Sequence, residues 1–402
     1  MEESVNMQGM DESIRDVLQS GEILETLNSN NLKDGETVMM KYFDPEEKKK
    51  KEEDRQGVVA LLSHKNGNVQ LCIYNEKELL GFGGRGCVYT SYSTTIENNQ
   101  NLEGNKFQID ACKEMTDVDK KKDVLREVTV ANLYYGDNQA CAFITKDNGY
   151  FIKMPLIEGK TLEELCQEQK FIESNQSEKI DLLINIAKEL QTFHSKTELQ
   201  TSHSKIGYVH GDLNPGNIII NNGKIRFVDF GESRDNPNHV KVDLNFPDSS
   251  LLATAKRYLV KGDAQILSSA IDAVADQCDT EEVLNIDDVI DHLRAFKNVA
   301  ELAEFNEKSG NKYPIVKSAV QEYCYEADKA YQLILDKEPE LCKQFEQVKA
   351  GKKIEPGAGK EFWQKKVSRE EQSRSPSPES WEGKVSSEKQ NPQKSRSPSP
   401  PK

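Results

Sequence analysis

Between Tyr208 and Ser233 the chain reads YVHGDLNPGNIIINNGKIRFVDFGES, and two carboxylates and an amide stand in it at set distances. Asp212 follows His210-Gly211, Asn217 lies five residues on, and Asp229 opens Asp-Phe-Gly seventeen residues past Asp212. Asn217-Ile-Ile-Ile runs into Asn221-Asn222-Gly223, and Ile225-Arg-Phe-Val follows. An apolar β-prone run, an Asn-Gly turn that tolerates positive φ and a second apolar run predict a hairpin. The hairpin carries Asn217 and Asp229 back toward each other. A surface hairpin with acidic turn residues is the plain alternative, but it gives no reason for His-x-Asp and an Asn five residues later to precede the turn.

A carboxylate beside an acceptor hydroxyl orients it and takes its proton, while an amide oxygen and a second carboxylate hold magnesium against nucleotide phosphates. The stretch resembles the catalytic loop and metal-binding Asp-Phe-Gly of the protein-kinase superfamily. The resemblance implies that Asp212 is the catalytic base or orienting group and that Asn217 and Asp229 hold the metal.

Upstream, Gly81, Gly83, Gly86 and Val88 fit G-x-G-x-x-G-x-V. Glycines let a loop approach phosphates without side-chain clash, and by the resemblance the Val covers the base. Strands flank the motif rather than a strand and a helix, which disfavours a dinucleotide fingerprint. Ala111-Cys112-Lys113 resembles the Ala-x-Lys of the third kinase strand, whose Lys carries charge to the α and β phosphates. Residues 120–134 read as a helix with an apolar stripe of Val124, Leu125, Val128 and Leu133, and Glu127 on it is the acid expected to pair with Lys113. Taken alone, Lys113 reads as a snorkelling strand-edge lysine and Glu127 as a solvated helix residue. Their order after a glycine loop and before a catalytic loop is what favours the functional reading.

Residues 140–154 read as a further hairpin, and the resemblance places Met154 at the gatekeeper position between two lobes. Pro155 has no N–H, so adenine is expected to bond at Leu156. Thr161 caps a helix with acids in its first turn. Residues 180–194 form the most strongly periodic helix, apolar at Ile180, Leu183, Ile184, Ile186, Ala187, Leu190 and Phe193, and residues 195–205 read as a polar insertion.

Three departures from the family pattern stand out. Gly211 replaces the Arg that commonly precedes the catalytic Asp, Asn214 replaces a common Lys, and no Ala-Pro-Glu follows Asp229. His-Gly-Asp is also the form of the aminoglycoside and choline kinase branch. Without the arginine, activity is expected without activation-loop phosphorylation. The alternative is a switch at Ser233 or Thr254 with Arg234 or Arg257 as its basic partner.

Apolar content of 36% is low and charged content of 30% is high for a chain that is globular throughout. Residues 351–402 carry twelve Lys or Arg against seven Asp or Glu, hence +5, which leaves −20 on residues 1–350 of the overall −15. SRSPSP occurs there twice, without apolar periodicity: a disordered basic tail, either plainly solubilising or open to proline-directed phosphorylation at Ser375, Ser377, Ser397 and Ser399 or to a partner. The acidic balance argues against a nucleic-acid partner, and no run is apolar enough for a membrane span. Eight scattered cysteines without CxxC pairs suit a reducing, cytoplasmic compartment. The Asn-, Lys- and Glu-rich sequence is similar in style to kinase-like effectors of intracellular bacteria, which implies a host cytosol.

The expectation is an α+β, two-lobed protein-kinase-like fold. It comprises an N-terminal extension over 1–35, accessory β strands over 36–78 joined to a β-rich N-lobe over 79–155, an α-helical C-lobe over 156–350 and the tail. The expected activity is ATP- and Mg2+-dependent transfer to a protein Ser or Thr hydroxyl. A small-molecule or lipid kinase is the second reading, and a kinase-like scaffold without turnover the third.

Overall fold

The computed structural model describes residues 4–29, 32–65, 68–96, 102, 104–116, 121–200, 205–235, 255–257, 259–260, 265–280, 286–322 and 326–350. The readings for Thr254 and for the Ser-Pro tail lie outside the described residues. Met1–Glu346 forms one compact unit, and Gln347–Lys402 is a second, of which residues 347–350 are described. The first unit has a curled, strand-rich N-terminal region followed by a helical region, the two-lobed arrangement of kinases.

The N-terminal region opens with β1 (Ser4–Val5), α1 (Glu12–Gln19), α2 (Glu22–Ser29) and β2 (Thr37–Tyr42). It continues with β3 (Val58–Lys65), β4 (Asn68–Gly83), β5 (Gly86–Ile96), β6 (Phe107–Met115), helix α3 (Lys121–Tyr135), β7 (Cys141–Ile144) and β8 (Tyr150–Pro155). The strands make one sheet in the order β2-β3-β4-β5-β6-β8-β7, with β1 on β6. A bridge between Thr37 and Thr145 brings its two edges together. The sequence reading divides the chain at residue 78, yet β4 is one sixteen-residue strand running across that position into the glycine-rich turn.

The unbroken apolar run Val58–Leu62 is a strand covered on both faces. Val59 and Leu61 pack inside the curl with Cys72, Tyr74, Cys112, Phe143 and Phe151. Val58, Ala60 and Leu62 face outward, where Ile14, Leu18 and Ile23 of α1 and α2 cover them. The N-terminal extension thus carries two helices, α1 and α2. Ser20 Oγ accepts the Glu22 N–H and starts the second turn. Asp11 caps α1 through Ser13 N and Ile14 N, and Asn75 of β4 donates to Asp11 and Ser13, pinning the cap to the sheet.

In the helical region, helix Gln176–Thr197 packs against helix Ile286–Lys308. Ser177 donates from N and Oγ to Glu304, and Lys297 pairs with Asp181 at 2.5 Å. The first of these helices continues three residues past His194 into the expected insertion, where Thr197, fully buried, returns its hydroxyl to Phe193 O. Pro314–Glu322 and Ala327–Lys337 are two further helices of this region. No helix among the described residues is long and apolar enough to cross a membrane. Cys72, Cys87, Cys112, Cys141, Cys166 and Cys342 are free thiols.

Candidate active site

Residues 218–227 fold as a hairpin, Ile218–Asn221 against Lys224–Phe227, turned by Asn222 and Gly223 at φ +50° and +78°. Residues 160–161 add a third strand to it at Ile220 and Ile219. Ile218 and Phe227 are buried opposite each other, so the hairpin is anchored in the core at the end that bears Asn217 and Asp229. Before it, Asn214 Oδ1 accepts the Gly216 N–H and caps the short turn Pro215–Asn217. Asn214, which the sequence shows only as a departure from the usual Lys, therefore shapes the turn that presents Asn217.

Asn217 Nδ2 donates to Asp212 O at 2.8 Å and to Asp212 Oδ2 at 3.1 Å. This locks the two side chains together and leaves the amide oxygen of Asn217 for a ligand. The Asp212 N–H reaches His210 Nδ1 at 3.4 Å, and His210 Nε2 lies 3.0 Å from Val228 O. That pattern assigns the imidazole proton to Nε2, which donates across to the strand leading into Asp229. Asp229 itself is held at φ +60°, a left-handed backbone uncommon outside glycine and often found where a functional side chain is held in place.

The N-terminal sheet supplies the opposite wall. Register places Gly81 opposite Val88, Gly83 opposite Gly86, Val88 opposite Lys113, and Ala111 opposite Met154. Gly86 has φ +152°, and a Cβ there would stand 2.1 Å from Glu114 O, so only glycine closes this turn. Lys113 Nζ donates to Glu127 Oε1 at 2.9 Å and to Asp229 Oδ1 at 2.6 Å. Lys113 and Glu127 are buried, with side chains 4% and 2% exposed.

On α3 the apolar stripe expected from spacing is displaced. The structure buries Val124, Glu127, Val130, Ala131 and Tyr134, and leaves Leu125 exposed. The helix is oriented by tyrosines that spacing did not single out. Tyr135 donates to Phe227 O at 2.6 Å, and Tyr134 accepts from Phe227 N and donates to Glu189. Phe230, buried next to Asp229, stacks on Phe193 at 5.8 Å and meets Tyr134, Tyr135 and His210 edge-on or tilted. This aromatic knot couples the position of Glu127 to that of Asp229.

Burial disfavours charge on Lys113, but the Glu127 and Asp229 carboxylates overcome it and hold the ammonium above its ordinary range. Burial also works against the Asp229 carboxylate. There the charge and hydrogen bond of Lys113 and the Gly231 N–H win, and its pKa falls below the ordinary value. Glu127 is pushed upward by burial, with the neighbouring Asp229 charge adding to it. One ammonium between two carboxylates cannot satisfy both equally.

The donor set fits a hard divalent cation. The fold holds Asp229 toward its ionised form, and the Asn217 amide hydrogen bonds leave its oxygen unused. No group of three His, Cys, Asp or Glu gathers for a metal among the described residues, and an ion here would be held by Asp229 and Asn217 together with non-protein oxygens. Pro155 and Leu156 line a separate cavity of about 480 Å³ with Gln139, Ile219, Asn222 and Arg226. None of Lys113, Asp212, Asn217 or Asp229 reaches it.

Residues 74–256 match the family model for the protein kinase domain. Among curated proteins the chain is similar to the KEOPS complex subunit Bud32 of Pyrococcus abyssi, 25% identical over 157 residues, which are 38% of this chain and 64% of that protein. It is similar to the probable serine/threonine-protein kinase mkcB of Dictyostelium discoideum, 30% identical over 170 residues, 40% of this chain and 20% of that one. It is also similar to the probable serine/threonine-protein kinase YbdM of Bacillus subtilis, 27% identical over 171 residues, 42% and 60% of the two chains. The chain thus spans less than two thirds of the length of each of these relatives.

Proposed function

This chain belongs to the protein-kinase superfamily through residues 74–256, and from that premise we propose that it is an ATP- and magnesium-dependent phosphotransferase whose acceptor is a serine or threonine hydroxyl of a protein. The observation that carries the proposal is the double engagement of Lys113, at 2.9 Å from Glu127 and 2.6 Å from Asp229. A buried lysine held by a helix acid and by the metal-loop acid is the assembled form of a phosphate-binding site. A scaffold that had lost turnover would have no need to keep two carboxylates, one of them buried, on one buried ammonium.

Magnesium-ATP, when bound, supplies the phosphoryl group and the divalent charge that offsets its oxygens. The chain supplies the rest. Gly81, Gly83, Gly86 and Val88 would cover the nucleotide, and Ala111, Met154 and the backbone of Leu156, a residue that also lines the separate cavity, would bound the base. Lys113, supported by Glu127, neutralises phosphate charge, while Asn217 and Asp229 hold the metal. Asp212, fixed by Asn217 Nδ2, orients the acceptor hydroxyl and takes its proton as the new bond forms.

The test is transfer from γ-labelled ATP into a cell lysate, with protein, lipid and small-molecule fractions read separately and Asp212→Asn as the control. Label on protein serine or threonine that vanishes in the control is the expected result. Label confined to lipids or small molecules would overturn the acceptor, and ATP binding with no transfer anywhere would overturn the activity.

A further inference from the structure

The tip of the glycine-rich turn carries a cation that the chemistry above does not use. Gly84 and Arg85 are the two residues between the paired Gly83 and Gly86. The Arg85 carbonyl accepts the Thr116 N–H at 3.3 Å, which ties the turn to the end of β6. Its side chain crosses the cleft. Nη1 donates to Gly231 O at 2.9 Å, and Nη2 pairs with Glu232 at 2.5 Å. A Cβ on Gly231 would meet Arg85 Cδ at 3.2 Å, Asp229 Oδ1 at 3.2 Å and Glu127 Oε2 at 3.4 Å. The arginine stem therefore lies beside the two carboxylates that hold Lys113, while Gly81, Gly83 and Gly84 next to it face space with no heavy atom within 4 Å of a Cβ.

The two cations of this corner are held differently. Lys113 and Glu127 are 4% and 2% exposed, whereas Arg85 and Glu232 are 37% and 50% exposed. An ion pair that open to solvent contributes little, so Glu232 is readily exchanged for a stronger anion. A phosphate group is such an anion, because the planar guanidinium fork matches its oxygens with two charge-assisted bonds. Resting on the nucleotide reading of the site, we propose that Arg85 leaves Glu232 for the terminal phosphate of a nucleoside triphosphate, so that it selects ATP over ADP and closes the turn only over the triphosphate. Glu232 is the resting partner that keeps the guanidinium aimed at the metal loop while the site is empty.

The full-length protein with magnesium is titrated with a fluorescent ATP analogue, which is then displaced by ATP and by ADP. Wild type, Arg85→Met, Arg85→Lys, Glu232→Gln and the double variant are compared. Losing a forked charge-assisted contact should weaken ATP by about tenfold or more in Arg85→Met and leave ADP nearly unchanged. Arg85→Lys should recover part of the preference. Glu232→Gln should raise the ATP-to-ADP ratio, and only while Arg85 is present, which keeps the idea testable even if Arg85→Met fails to fold. If wild type binds neither nucleotide, the nucleotide reading falls and this inference with it. If wild type binds ATP but Arg85→Met shifts both nucleotides equally or neither, or Glu232→Gln leaves the ratio unmoved, the Arg85 inference alone is overturned.

Discussion

Gly211 lies against the backbone of Glu232: a Cβ on Gly211 would stand 2.4 Å from the Glu232 carbonyl oxygen, and the glycine holds φ at +81°. The position before Asp212 thus excludes any side chain, not only arginine. The two segments are stitched on either side of this contact. Ser233 Oγ donates to His210 O at 3.2 Å, and Tyr208 and Val209 pair with Asp235 and Arg234. Residues 233–235, which follow Asp229 closely, are therefore docked on residues 208–210 by strand pairing and a serine hydroxyl.

This docking predicts activity without a phosphate. Ser233 is fully buried with its hydroxyl engaged, so it is a poor acceptor for a regulatory phosphoryl group. Protein stripped with phosphatase should keep its initial rate. A loss of about tenfold, worth roughly 1.4 kcal/mol of barrier, would show that a phosphate-dependent switch exists, if rephosphorylation at one residue between 233 and 254 restored it. Gly211→Ala should do what dephosphorylation does not. Forcing a Cβ into a left-handed, crowded position costs about 2 kcal/mol or more, read as a lower denaturation midpoint together with reduced turnover.

A second prediction concerns the shared ammonium. Asp229→Ala should abolish magnesium-dependent turnover with the fold retained, and Lys113→Met should lower it by about a hundredfold or more. Glu127→Gln should cost less, because the amide oxygen still accepts from Lys113 and the 2.6 Å contact with Asp229 remains. Full activity in Asp229→Ala would sink the metal assignment, and an unaffected Glu127→Gln would remove α3 from the mechanism.

The legible parts of this architecture were those written locally. The hairpin that returns Asn217 toward Asp229 follows from two apolar runs and an Asn-Gly turn, and residues 218–227 form it in register. Lys113 and Glu127 are ambiguous one at a time, and only their order along the chain singles them out. What stayed hidden depends on contacts across long separations. Arg85 meets Gly231 across 146 residues, and Tyr135 meets Phe227 across 92. Leu125 looked like core and is exposed, because the α3 face is chosen by the aromatic knot and by buried Glu127 rather than by hydrophobicity alone. The covering role of α1 and α2 did leave a signal, the unbroken run Val58–Leu62, which needs a second layer over its outer face.

A third prediction takes opposite signs at the two carboxylates. Asp229 has a depressed value, so its contribution to stability is present above the ordinary 3.8 and is lost as pH falls through the folded-state value. Glu127 has a raised value, so the fold favours its protonated form. That contribution is present below the ordinary 4.5 and is lost as pH rises through the folded-state value. The stability difference between wild type and Asp229→Asn should therefore shrink on acidification, while that between wild type and Glu127→Gln should shrink as pH rises. Urea denaturation across acidic to neutral pH reads both, and parallel curves for the two variants would refute the opposed assignments.

The last prediction is the stability supplied by the N-terminal extension. Ile14 and Ile23 are fully buried and Leu18 nearly so, against Val58, Ala60, Leu62, Leu71 and Ile73 of the sheet. Burying such a side chain is worth about 1.5–3 kcal/mol, and truncating it in a closed core adds the cost of the cavity. Ile14→Ala should lower stability by about 2–5 kcal/mol. The damage should reach the active site, because β4 carries the covered residues Leu71 and Ile73 at one end and the turn glycines Gly81 and Gly83 at the other. Nucleotide affinity should fall along with the melting temperature, and removing residues 1–31 should do more of both. If the truncated protein melts and binds nucleotide as the full chain does, the two helices are not part of the working sheet, and the apolar run of β3 would need another cover.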